Sequence, residues 1–141
     1  MGCFIITDDG RAVALNNRGH DWLIEEIANS LPTTAEGTEF KNWLLDRRVS
    51  VTGVGHVDVR ELTQLNQRLF WDAVGDTIRR LKLEGPGSLY EPDFFESGVV
   101  KPFRILVKLH KSYLRGEPPE SFNPYMRAAI PPTGEKDGPG W

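Results

Sequence analysis

Cysteine is almost absent from this chain: Cys3 stands alone among 141 residues. One thiol cannot close an internal disulfide, and it excludes a zinc site built from several cysteines. A reducing compartment suits such a sequence. Histidine is scarce too, with only His20, His56 and His110, so a histidine-rich metal centre is not expected. No apolar run approaches the roughly 20 residues a membrane helix requires. The opening Met1-Gly2-Cys3-Phe4-Ile5-Ile6 has no basic n-region, and Ile6 stands where a myristoylation signal wants Ser or Thr. Neither an export signal nor a lipid anchor is expected there, and a cytoplasmic protein is the reading. Gly85-Pro86-Gly87-Ser88 lacks the Lys and the preceding strand of a phosphate loop.

What remains is an ordinary globular composition, 39% hydrophobic and 26% charged, in a length that fits one domain. Net charge is only -3, but it is unevenly spread: residues 1–46 hold eight acids against three bases. An acidic front repels phosphate and suits a basic partner.

The pattern predicts an α+β fold: a small N-terminal antiparallel sheet packed against about four helices, with a globular domain over 1–116. A Pro/Gly-rich tail over 117–141 is expected to dock partly on it. Residues 3–7 and 11–15 alternate around Asp9-Gly10 and read as a hairpin with a two-residue turn. Asp21 is a candidate N-cap for a helix to about 31, with Trp22, Leu23, Ile27 and Leu31 at helical spacing. A second helix is expected over 39–48 with Thr38 as cap, then a strand over 49–52, a glycine joint over 53–55 and a strand over 56–60.

Thr63 caps the clearest helix, 64–83, with Leu65, Leu69, Phe70, Ala73, Val74, Thr77, Ile78 and Leu81 as its apolar stripe. Gly75 inside it suggests close approach of a neighbour. A loop over 89–98 carries Tyr90, Phe94 and Phe95. A last helix over 103–115 follows Pro102, burying Phe103, Leu106, Val107, His110, Tyr113 and Leu114, and Gly116 ends it.

Two charge clusters bear on function. Asp21, Glu25, Glu26, Glu36 and Glu39 lie near Trp22 and Trp43. A solvated helix face accounts for them. The functional alternative is a docking surface, with carboxylates that speed encounter and aromatics as anchors. Lys101, Arg104, Lys108, Lys111 and Arg115 recur at three- and four-residue spacing. They form either a solvated basic stripe or a nucleic-acid surface. Catalysis would need His56, Asp58 and His110 to converge, or Cys3 to meet a histidine. No catalytic set, metal site or cofactor motif is recognisable, and none is predicted.

Residues Gly55-His56-Val57-Asp58-Val59-Arg60-Glu61-Leu62-Thr63, followed by Phe70-Trp71-Asp72-Ala73 in a helix, resemble small bacterial immunity proteins of polymorphic or contact-dependent toxin systems. So does the layout of hairpin, helices and Pro-rich tail. The resemblance covers about a quarter of the chain and carries over no catalytic residue, because such proteins act by occlusion. It implies a cognate protein toxin domain as partner, often a basic nuclease, with no membrane partner and nucleic acid disfavoured. The expected contact residues are Asp21, Trp22, Glu25, Glu26, Glu36, Glu39 and Trp43. A small enzyme around His56, Asp58 and His110, or a nucleic-acid adaptor using the basic helix, are the alternatives.

Overall fold

The structure is a computed structural model that describes residues 3–53, 55–85 and 100–116. The expected 89–98 loop with its three aromatics, the turn after Gly85 and the 117–141 tail lie outside the described residues.

The hairpin forms as β1 (Cys3–Ile6) and β2 (Ala12–Leu15), paired antiparallel with Ile5 opposite Val13. Its loop has three residues rather than two. The N–H of Thr7 reaches Arg11 O at 2.6 Å, and Gly10 donates to Thr7 O at 3.0 Å, with Gly10 at φ 90°. A left-handed glycine closing a three-residue loop keeps the strands in register, so Asp8 and Asp9 sit at the tip. Cys3, Ile5 and Thr7 are buried while Phe4 and Ile6 are half-buried, the alternation a pleated strand dictates.

The third strand, β3 (His56–Asp58), pairs with β1, giving the order β2-β1-β3. It runs parallel to β1, with Ile5 opposite Val57. The α+β class stands, but the sheet is mixed instead of wholly antiparallel. A parallel neighbour needs a long crossover, and the three helices between β2 and β3 provide it. Ile5, Val13 and Val57 thus form one buried row.

The first crossover helix, α1 (Asn17–Asn29), starts earlier than Asp21 suggested. Asn16 is its cap, accepting from Gly19 N–H at 2.7 Å. Leu23, Ile24, Ile27 and Ala28 face the core. Likewise α2 (Ala35–Leu45) is capped by Thr34, not Thr38. Gly37 fits there because an added Cβ would lie 2.2 Å from Pro32 O. Residues 49–52, expected as a strand, form a short helix, α3 (Val49–Thr52), ended by left-handed Gly53. The expected strand to residue 60 stops at Asp58, whose side chain turns the chain into a 3-10 turn, Val59–Glu61.

Thr63 does cap α4 (Gln64–Glu84), and Phe70, Ala73, Val74, Thr77, Ile78 and Leu81 are buried as predicted; Leu65 is exposed. Gly75 has no crowding neighbour, since an added Cβ would meet only Arg79 Nη1 at 3.8 Å. The buried Thr77 hydroxyl sits 2.7 Å from both Ala73 O and Ser30 Oγ, joining α4 to α1.

The last helix, α5 (Lys101–Leu114), buries Phe103, Ile105, Leu106 and Leu109. Tyr113 and Leu114, expected inside, are exposed. Among the described residues, Phe40, Phe70 and Phe103 are the largest fully buried side chains and bring α2, α4 and α5 into one core. Among the described residues, no helix is long and apolar enough to cross a membrane.

Candidate interaction face

The five carboxylates do not form one free surface. The three on α1 are engaged by the protein's own groups. Asp21 Oδ1 accepts from Val49 N–H at 2.5 Å and Oδ2 from Ser50 N–H at 3.0 Å, so Asp21 caps α3 from across the fold. Glu25 pairs with Arg48 at 2.8 Å. Glu26 pairs with Arg80 at 3.2 Å, and its side chain is only 14% exposed. Trp22 is half-buried against the core.

The carboxylates of α2 are different. Glu36 and Glu39 are exposed and form no ion pair among the described residues. Glu36 lies in the first turn of α2, where the helix dipole favours negative charge. Trp43, one turn beyond Glu39, is half-buried. Its ring stacks on Phe40 at 5.8 Å between centroids, and the Arg47 guanidinium lies 4.3 Å from its own centroid. Phe40 is fixed in the core, so Trp43 is held in place from below, while Arg47 covers it through a cation–π contact. Val51 on α3 is exposed close by in sequence. Glu36, Glu39 and Trp43 follow at intervals of three and four residues along α2, which places them along one side, and Arg47 reaches the Trp43 ring from just beyond the helix end.

The proposed trio of His56, Asp58 and His110 is not assembled by direct contacts. His56 is exposed on β3. Asp58 is held by Arg60, whose Nε and Nη2 donate at 3.0 and 2.8 Å. Those bonds are the main reason its carboxyl lies below the usual range, against the opposing effect of burial. Cys3 donates to Asn17 Oδ1 at 3.2 Å. Burial, and next the charge of Asp21, push its thiol up, away from the reactive thiolate.

His110 instead meets two residues that sequence reading missed. Its Nδ1 is 3.0 Å from Asp8 Oδ1. Trp71 Nε1–H donates to Asp8 Oδ2 at 3.2 Å, and its ring stacks on the imidazole at 3.8 Å and 13°. Burial is the largest influence on Asp8 and opposes its charge; His110 and Trp71 together still hold the carboxyl below its usual range. The cluster ties the hairpin tip to α4 and α5. An Asp-oriented histidine can serve catalysis, but no hydroxyl or thiol is hydrogen-bonded to His110 among the described residues. Nor does any group of three His, Cys, Asp or Glu suited to a metal ion occur among them.

The basic stripe is broken. Lys101, Lys111 and Arg115 are exposed, Lys108 is half-buried and Arg104 is buried on the core side of α5. In comparisons with protein-family models, characterised proteins and solved structures, nothing matches this chain.

Proposed function

We propose that this protein is an immunity-type inhibitor that acts in the cytoplasm by binding a cognate toxin domain and covering a basic active-site cleft. The observation that carries the reading is the pairing of two exposed carboxylates, Glu36 and Glu39, with an aromatic–guanidinium patch made by Trp43 on α2 and Arg47 just beyond its end. Exposed carboxylates draw in a basic partner and set its orientation. Trp and Arg are the residue types that most often dominate binding energy once desolvated. The docking face therefore centres on α2. Asp21, Glu25 and Glu26 stand outside it, taken up by the α3 amides, Arg48 and Arg80. The lone buried Cys3 is compatible with a reducing compartment.

The reading expects a toxin domain encoded directly upstream of this gene. Co-expression with that domain in a bacterial host should restore growth. The double reversal Glu36→Lys/Glu39→Lys should abolish protection, whereas Glu25→Lys, which loses one surface ion pair worth about 0–1 kcal/mol, should retain it. Full protection by the double reversal overturns this placement of the face, and no protection by the natural chain overturns the immunity reading.

A further inference from the structure

We infer that acid opens the corner between α2 and α3, with His20 as the group that takes up the proton. His20 is completely buried in the first half of α1. Its Nε2 lies 3.1 Å from Arg47 O. A carbonyl only accepts, so Nε2 carries the hydrogen and donates. Nδ1 is then a bare acceptor, and it is buried with no hydrogen-bond partner among the described residues. A proton arriving at Nδ1 would place a charge there with nothing to receive its hydrogen bond. Burial, the largest influence, accordingly pushes the imidazole below its ordinary value of 6.5.

The charged surroundings do not compensate. From β3, His56 adds to the downward push, while neighbouring Asp21 and the Arg47 carbonyl oppose it without prevailing. Both Asp21 oxygens are occupied by the Val49 and Ser50 amides. From the corner itself, the Arg47 guanidinium is drawn over Trp43 and that of Arg48 is paired with Glu25.

The corner is built to yield. No residue of α3 is fully buried, and segments with little buried apolar surface open at low cost. Polar contacts hold it: His20 on Arg47 O, Asp21 on two amides, Arg48 Nη1 on Glu25 and Arg48 Nε on Leu45 O at 2.9 Å. Opening the corner frees His20 from the Arg47 carbonyl and lets water reach the imidazole. Proton uptake then pulls the equilibrium toward the open form. Arg47 and Val51 sit on that corner and Trp43 just before it, so the docking face loses its shape when the corner opens. That last consequence rests on the function proposed above; the opening itself does not.

Amide hydrogen exchange of the free protein, followed by NMR at pH 7.5, 6.5 and 5.5 and divided by the intrinsic rate at each pH, tests the device. Open and closed corners differ by one proton on an imidazole with an ordinary value near 6.5, so the opening constant at Val49, Ser50 and Gly53 should rise about tenfold from pH 7.5 to 5.5. Because global unfolding also frees His20 and takes up the same proton, the mark of the local device is an opening constant at the corner that exceeds the one at Val74 in the core of α4 at every pH, and His20→Gln should abolish the pH dependence at the corner. Unchanged corner protection in the natural protein overturns the inference, whether or not the variant folds. So do corner amides whose opening constants equal that at Val74 at each pH, which would mark global rather than local opening. Binding to the upstream toxin domain that ignores pH while the corner opens would fault the docking reading instead.

Discussion

Replacing Asp21 separates a residue that builds the fold from one that touches a partner. Asp21→Ala leaves the amides of Val49 and Ser50 without the carboxylate that now receives them at 2.5 and 3.0 Å. Losing an N-cap acceptor costs about 0.5–2 kcal/mol. The Ser50 amide is on the exposed side and water can replace its bond, so most of the loss falls on the half-buried Val49 amide. The total should be about 1–2 kcal/mol, which in a domain of this size lowers Tm by roughly 3–8 °C. Asp21→Asn keeps one oxygen and should lose about half as much. Urea denaturation should show a lower midpoint with an unchanged slope. Because α3 fully buries none of its residues, amide exchange at Val49 and Ser50 should accelerate more than global stability falls. An Asp21→Ala protein within about 0.3 kcal/mol of the parent, well below the expected capping loss, would refute the capping role. It would also return Asp21 to the list of free surface carboxylates.

Two glycines should respond in opposite directions. A Cβ at Gly55 would lie 2.5 Å from Cys3 Sγ and 2.7 Å from Val49 Cγ2, so Gly55→Ala should destabilise by about 1–3 kcal/mol through overpacking. Gly75→Ala meets only the flexible end of Arg79 and should stabilise by about 0.5–1 kcal/mol in urea denaturation. The acid limb of stability should depend on Asp58 and Asp8. Both carboxyls lie below their ordinary value of 3.8 in the fold, so their contribution is complete above that pH and is lost as pH falls through the folded values. Asp58→Asn should therefore lower stability at pH 7 while flattening its decline below about pH 4, measured by urea midpoints across pH.

Much of the fold was legible where a signal is local. The hairpin, Thr63 at the start of α4, the six buried positions of that helix and Gly116 after α5 all follow from short-range pattern. Failures came where distant parts of the chain decide. Asp21 has the chemistry of a cap, but it caps α3, 28 residues onward, while Asn16 begins α1. Val49, Val51 and Thr52, three β-branched residues in the run over 49–52, favour a strand by propensity, and the Asp21 carboxylate helps hold the run as a helix. The direction of β3 depends on how three helices cross the sheet, which periodicity does not encode. The same limit governed the site. Glu36, Glu39 and Trp43 are candidate contact residues from charge and residue type, although a helix over 39–48 leaves Glu36 outside it. That Glu26 meets Arg80, or that His110 meets Asp8 across 102 residues, is a property of the tertiary fold.

The rate at which purified protein associates with the upstream toxin domain, followed by stopped flow across ionic strength, tests the docking face most directly. Glu36→Lys/Glu39→Lys should cut the rate constant at low salt by about tenfold or more, with a much smaller difference at high salt. Equal rates at every salt concentration would mean that this end of α2 does not face the partner.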